Sequence, residues 1–197
     1  MNGEYTDEAL IKKVLDGDAA AMKYLYDCHV GCLTAVASRY IPDDDDLKDV
    51  LQEAFVKVFT SMRSFQYRGK GSLRAWMTKI VVNEAIDFLH SRKATEAMEM
   101  AEIDDCCEEE PLDEPDVGNV PIEAVYEMIR HLPPGYRSVF NLYVFEGKSH
   151  KEIAEMLGIK ENTSASQYHR AKALLATNIK EYLTTNKNKR NGRTMAK

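Results

Sequence analysis

The stretch Lys148–Leu175, KSHKEIAEMLGIKENTSASQYHRAKALL, decides how the chain is read. Ser149 with Glu152 three residues on is a capping box, so a helix starts there. Ile153, Ala154 and Leu157 fall on one side of that short helix. Gly158 supplies a tight turn and Ile159 fills its corner. A second helix begins near Glu161 or Asn162, with Ser164, Tyr168, Ala171 and Leu175 on one face. The opposite face shows Asn162, Ala165, Ser166, His169 and Arg170. Two short helices about a glycine turn, the second amphipathic with a polar outer face, read as a helix-turn-helix, whose second helix enters a DNA major groove. Ser, His and Arg, with Gln167 and Lys172 nearby, are donors that suit phosphate contacts. Base readers are fewer: Arg170, and Gln167 if it turns outward.

Upstream of this motif, Ile122, Val125, Ile129 and Leu132 make one apolar stripe, opened by Pro121 in a first-turn position. Pro133-Pro134-Gly135 breaks it. Val139, Phe140, Tyr143 and Val144 give the next helix, and Gly147 ends it. Residues 121–184 therefore form a four-helix domain containing the helix-turn-helix. The last residues, 185–197, are basic and polar and are expected to be disordered.

Charge divides the chain. The net charge is −6 over 197 residues, which looks wrong for a nucleic-acid binder. Residues 94–120, however, hold eleven acids and no Lys or Arg, so the remainder carries +5. This segment also contains Pro111, Pro115 and Gly118 and few bulky apolar groups, and it reads as a flexible acidic linker.

The first domain, 1–93, is also helical. Thr6 caps a short helix whose first turn is acidic. Gly17-Asp18 breaks and restarts the chain. Met22, Leu25, Tyr26, His29, Leu33, Val36 and Tyr40 recur at helical spacing up to Pro42. Asp43 to Asp46 offer caps for a helix with the inner stripe Leu47, Val50, Leu51, Ala54, Phe55, Val58, Phe59 and Met62. Asp49, Gln52, Glu53 and Val56 form a second stripe on the same helix, at i, i+3, i+4 and i+7. Such a face is usually just solvated, but an apolar Val56 among acids and an amide suits docking to a basic protein helix. A glycine-bearing loop follows, and then a long helix from about Leu73 to Arg92. Arg63, Arg68, Lys70 and Arg74 interleave with Phe65 and Tyr67, and Trp76, Lys79, Asn83 and His90 share one side of the long helix. Cations between aromatics suit single-stranded DNA, because bases stack on rings while phosphates pair with Lys and Arg.

No segment alternates with a period of two, so the expected fold class is all-α: two small helical domains joined by the linker. Mean hydropathy is −0.43, and no run is long and apolar enough to span a membrane. No basic, apolar leader opens the sequence, and a cytoplasmic location is expected. Cys28, His29 and Cys32 could share a helix face, but no second ligand pair stands at zinc spacing, so the cysteines read as small residues packed in a bundle. No phosphate loop, nucleophile elbow or carboxylate pair is evident, which argues against an enzyme, and no cofactor is expected.

The motifs, taken together, resemble the sigma-70 superfamily in its smallest branch, the extracytoplasmic-function (ECF) sigma factors. Asp46-Leu47-Lys48-Asp49-Val50-Leu51-Gln52-Glu53-Ala54-Phe55 is similar to that family's polymerase-docking signature. Phe65 through Trp76, with Ile80, Asn83 and Asp87, resembles its promoter-melting segment. Leu132-Pro133, Val139-Phe140, Glu146-Gly147, Glu152-Ile153-Ala154, Leu157-Gly158-Ile159, Thr163, Ser166 and Arg170-Ala171 resemble its carboxy-terminal domain.

The resemblance implies a polymerase subunit that nucleates strand opening at promoters. Asp49, Gln52, Glu53 and Val56 would dock on the clamp coiled coil of core RNA polymerase. Phe65, Tyr67, Arg68, Lys70, Ser72, Arg74, Trp76, Lys79 and Asn83 would meet the minus-ten element. Asn162, Ala165, Ser166, Gln167, His169, Arg170 and Lys172 would meet the minus-thirty-five element. The linker would thread the template and RNA channels, its acids mimicking nucleic acid. An anti-sigma factor is a further partner by resemblance alone. Ala165 stands where many relatives carry Lys or Arg, and the linker is more acidic than is typical. The competing reading, a helix-turn-helix repressor or activator acting without polymerase, leaves the stripe and loop of the first domain idle.

Overall fold

A computed structural model describes residues 5–95, 118 and 120–194. It divides into two compact units, Met1–Glu96 and Ala97–Lys197. All regular structure among the described residues is helical. The acidic segment expected to be a linker lies almost wholly outside the described residues, as do Cys106 and Cys107.

In the first unit α1 spans Asp7–Leu15, with Thr6 accepting the Ala9 N–H at its start. It ends in a Schellman turn. Gly17 takes φ 82°, its N–H reaches the Val14 carbonyl at 3.1 Å, and the Asp18 N–H reaches the Lys13 carbonyl at 3.0 Å. Glycine takes that left-handed angle without a Cβ clash. Asp18 then caps α2 (Ala19–Ala37) by accepting the N–H groups of Ala20 and Ala21. One Gly-Asp pair thus closes one helix and opens the next.

Asp43 caps α3 (Asp44–Ser61) through the N–H groups of Asp45 and Asp46, which hold its carboxyl below the usual carboxylate range. A 3₁₀ turn (Met62–Ser64) and a glycine loop lead into α4, Ser72–Thr95. The core joins Leu25, Leu33 and Ala37 of α2, Val50, Ala54 and Val58 of α3, and Met77, Val81 and Ala85 of α4. Tyr40 and Met62 are fully enclosed at its edges. Burying each large apolar side chain contributes roughly 1.5–3 kcal/mol, so these helices are held by their shared face.

The second unit holds α5 (Ile122–Arg130), α6 (Pro134–Val144), α7 (His150–Leu157) and α8 (Glu161–Thr194). Pro121 sits at the N-cap of α5, one place earlier than expected, and Pro134 begins α6 instead of merely breaking the chain. Ile129, Leu132, Ala171 and Leu175 form one core cluster, flanked by Val125, Met128, Tyr136 and Phe140. Arg137 is buried among them without a carboxylate partner in the described residues. Its Nη1 instead donates to the carbonyls of Arg130 (2.6 Å) and Leu132 (3.3 Å), at the C-terminal end of α5. A cation there meets the negative end of the helix dipole. Burial, with Arg130 adding to it, lowers the guanidinium pKa to about 10, and the group stays charged near neutral pH.

Three expectations need correction. The tail expected to be disordered from 185 is helical as far as Thr194, where α8 simply continues. Cys28 is exposed on α2 instead of packed. Tyr26 and Ile122, placed on inner stripes by periodicity, are 42% and 57% exposed.

Candidate nucleic-acid interface

Two surfaces of the first unit carry the chemistry. The first lies on α3. Leu47, Val50, Leu51, Ala54, Phe55 and Val58 turn inward, and Asp49, Gln52, Glu53 and Val56 are all exposed on the outer side. Val56 is 50% exposed, a branched apolar group standing in solvent between acids. Tyr26 of α2 packs on Phe55 at 4.6 Å between ring centroids, and Phe55 on Phe59 at 6.3 Å.

The second surface is the loop between the 3₁₀ turn and α4. Gly69 and Gly71 take φ 103° and 88°, so the loop reverses sharply and brings Phe65 back over α4. The rings of Phe65 and Trp76 lie 4.8 Å apart at 38°. Ser72 ties the reversal, donating to the Gly69 carbonyl at 2.7 Å and accepting the Arg68 N–H at 3.1 Å. Beside these rings an open pocket of about 300 Å³ is lined by Ser64, Phe65, Gln66, Arg68, Ser72 and Trp76. Arg68 is the cation on the pocket wall; Arg63, Lys70 and Arg74 are exposed elsewhere on the loop and the start of α4, and Lys79 and Asn83 are exposed further along α4. Tyr67 is half-buried, and burial beside Asp7 and Glu8 pushes its phenol pKa up. Tyr67 is not among the residues that line the pocket. His90 shares the helix but not the exposure: its Nε2 is enclosed, with no hydrogen-bond partner among the described residues.

In the second unit the capping box forms as expected: the Glu152 N–H reaches Ser149 Oγ at 3.3 Å, and the Ser149 N–H reaches the Glu152 carboxylate at 2.9 Å. The Ser149 N–H, then Lys148 and the Ser149 hydroxyl, hold the Glu152 carboxyl down at about 2. Gly158 sits at φ 63° between α7 and α8. On α8, Asn162 and Ala165 are exposed, and Ser166, His169, Arg170 and Lys172 are half-exposed. The Ser166 hydroxyl donates to the Thr163 carbonyl at 3.2 Å.

Gln167 is a correction. It is only 6% exposed and lies on the inner face with Ser164, Ala171 and Leu175. The inward positions step 164, 167, 171, 175, so its backbone position, not its polarity, decides which way it points.

Sequence reading missed the groups that hold this motif rigid. His150, at the start of α7, meets Ser164 Oγ through Nδ1 at 3.0 Å. It stacks on Tyr143 at 4.7 Å, while Tyr168 lies 4.4 Å from Tyr143 and 6.1 Å from Phe140. Aromatic pairs of this kind contribute about 0.5–1.5 kcal/mol beyond their area. Tyr143 and Tyr168 stand 25 residues apart in different helices, so periodicity alone could not pair them.

No group of three or more His, Cys, Asp or Glu among the described residues could hold a metal ion. The Cys32 thiol donates to the His29 carbonyl, and burial lowers the His29 pKa. No described helix is long and apolar enough to cross a membrane.

Comparison with known proteins matches part of each unit to a family model. Residues 25–95 match the family model for sigma-70 region 2, and residues 122–175 match that for sigma-70 region 4. The chain is 27% identical over 188 residues to the ECF RNA polymerase sigma-E factor of Haemophilus influenzae, covering 91% of this chain and 98% of that protein. It is 26% identical to the ECF RNA polymerase sigma-E factor of Escherichia coli K12, covering 91% and 97%. Among solved structures it is similar to the sigma factor RpoE in complex with the anti-sigma factor NepR from Bartonella quintana. That match has a TM-score of 0.48 and 20% identity, and covers 80% of this chain and 96% of that one.

Proposed function

The chain belongs to the sigma-70 family and is an ECF-type RNA polymerase sigma factor, and from that premise we propose how its two units divide the work of initiation. Sigma factors bind core polymerase and promoter DNA and are regulatory, non-catalytic subunits. The outer stripe of α3 is the polymerase-docking surface. Asp49 and Glu53 supply charge for a basic helix of the clamp, Gln52 a hydrogen-bonding amide, and Val56 an apolar anchor at the centre.

The loop beside α4 captures the non-template strand of the minus-ten element. The observation that carries this reading is the Phe65–Trp76 ring pair walling an open pocket that Arg68 also lines. Extruding a base costs a few kcal/mol. A ring platform and a pocket offset that cost for an unstacked base, whereas a base still in duplex cannot reach them. Lys79 and Asn83 extend the contact along α4. The outer face of α8, through Asn162, Ser166, His169, Arg170 and Lys172, lies in the minus-thirty-five major groove. Since Gln167 is buried, base reading there rests mainly on Arg170 and Asn162. The protein acts where polymerase and chromosomal DNA meet, in the cytoplasm, with no catalytic group of its own.

A free-standing helix-turn-helix regulator would account for residues 122–175 only, and residues 25–95 match region 2 of the same family. A base-analogue experiment tests the proposal. A fluorescent purine analogue is placed at successive non-template positions of a promoter used by this protein. Holoenzyme should change its emission at one or two minus-ten positions as the base leaves the stack. Trp76→Ala and Phe65→Ala should abolish that signal while duplex binding upstream persists. An unchanged signal in both variants would remove the loop from strand capture.

A further inference from the structure

The docking helix and the strand-capture helix are joined by charge as well as by their apolar faces. Lys57 of α3 pairs with Glu84 of α4 through Nζ and Oε1, and lies 4.0 Å from Asp87 Oδ2. Near the opposite ends of the same two helices Arg92 pairs with Asp46. In sequence 46 meets 92 and 57 meets 84, so both pairs belong to one antiparallel register.

The two pairs differ in setting. The Glu84 side chain is only 10% exposed and Lys57 is 53% exposed. At the other pair the exposures are 51% for Arg92 and 26% for Asp46. A carboxylate as enclosed as Glu84 needs its cation, because an uncompensated buried charge is costly. Lys57 responds in kind: the hydrogen bond it donates to Glu84 raises its pKa, with Asp87 and Glu53 adding to it.

The position of the pair is what gives it a role. Lys57 follows Val56 directly and stands four residues from Glu53, at the rim of the docking stripe. Glu84 follows Asn83 directly and Asp87 stands four residues from it, at the rim of the strand-capture face. We propose that Lys57 is a positioning residue that clasps α3 to α4 through Glu84, so that docking the outer stripe of α3 on polymerase sets where Trp76, Lys79 and Asn83 meet the minus-ten strand. The proposal rests on the docking and capture surfaces assigned above. The core alone keeps the two helices together, because Val50, Ala54, Val58, Met77, Val81 and Ala85 interlock without any charge. The clasp fixes which part of α4 is presented once α3 is held. That is a specificity role, of the kind best attested for buried polar pairs.

The test uses the full chain with sigma-free bacterial core polymerase. The probe is a single-stranded oligonucleotide copied from upstream of a start site that the wild-type protein itself uses. Lys57→Met should keep core affinity within about twofold and remain cooperatively folded, yet holoenzyme should bind the oligonucleotide about tenfold more weakly, the scale of a broken coupling between sites. Glu84→Gln should do the same, the double variant should be no worse than either single one, and Lys57→Arg should restore most of the binding. Unchanged oligonucleotide binding in Lys57→Met and Glu84→Gln contradicts the clasp. Core affinity and melting temperature falling in step with oligonucleotide binding also contradicts it, because that is what a merely structural pair would do. If wild-type protein itself fails to bind core, the docking assignment falls and the clasp with it. If wild type binds both and the variants match it, the clasp alone falls.

Discussion

The two units use their aromatic residues in opposite ways. In the first, Phe65 and Trp76 pair on the wall of an open pocket that Arg68 also lines. In the second, Phe140 and Tyr143 of α6, His150 of α7 and Tyr168 of α8 stack on one another and so join three helices. The outer face of that unit's α8 is left with small or polar groups, Asn162, Ala165 and Ser166. Rings that wall an open pocket leave room for an unstacked base, and rings stacked across three helices fasten those helices to one another. A duplex is read by edges and phosphates along a rigid helix, whereas a melted strand is read by stacking. The same residue types therefore fit two different tasks in the proposed function, depending on whether they wall a pocket or join helices.

Removing a ring from each unit is the sharpest way to break this comparison. Tyr168→Ala takes out the ring that meets both Tyr143 and Phe140 and should destabilise the second unit by about 1–3 kcal/mol, less than a fully buried aromatic because the ring is half-buried. Thermal unfolding of the full chain should show it, with the first unit's transition unmoved. Trp76→Ala should do the reverse. Its main loss is the stacked base, about 1–3 kcal/mol, so holoenzyme should bind the melted minus-ten strand roughly ten- to a hundredfold more weakly while still docking on core. If Trp76→Ala instead lowers stability and leaves strand binding intact, the surface pair is only core.

A smaller contrast lies within α8. Arg170→Ala should weaken specific minus-thirty-five binding by about 1 kcal/mol and relax preference at one base pair. Gln167→Ala, three residues away but buried, should leave promoter preference alone and cost about 1 kcal/mol of folding stability. A selection of promoter variants with each protein separates the two.

The smallest effect concerns pH. The folded Glu152 carboxyl sits at about 2, below its ordinary value. Its contribution is therefore complete above the ordinary carboxylate range and is lost as pH falls through about 2. Wild type and Glu152→Gln should differ in melting temperature near neutral pH and converge in strong acid. A constant difference at all pH values would mean that the charge plays no part in the cap.

The parts of this fold that could be read from sequence are local. Thr6, Asp18 and Ser149 act within three residues of themselves, and each caps the helix that its neighbours imply. The inner and outer stripes of α3 were legible because both follow one helical period. What could not be read depends on pairs far apart in the chain. Lys57 meets Glu84 across 27 residues, and His150 meets Ser164 across 14. No periodicity in either helix announces its partner. Gln167 was misplaced for a different reason: a polar side chain was assigned outward although its position follows the inner face. Arg137 carried no signal at all, since its task is to satisfy carbonyls exposed only once α5 has ended. The strand-capture site was legible as a composition, cations among aromatics, but not as a geometry. The fold added that Phe65 packs on Trp76, that Ser64 and Gln66 line the pocket, and that Tyr67 does not.

The most direct measurement of the central claim is transcription in vitro with purified protein, sigma-free core polymerase and sheared genomic DNA from the source organism, followed by sequencing of the transcripts. Wild-type protein should give discrete start sites that share two upstream elements, and the Asp49→Arg/Glu53→Arg variant should give none of them. An absence of specific transcripts, together with tight duplex binding by the protein alone, would contradict the account.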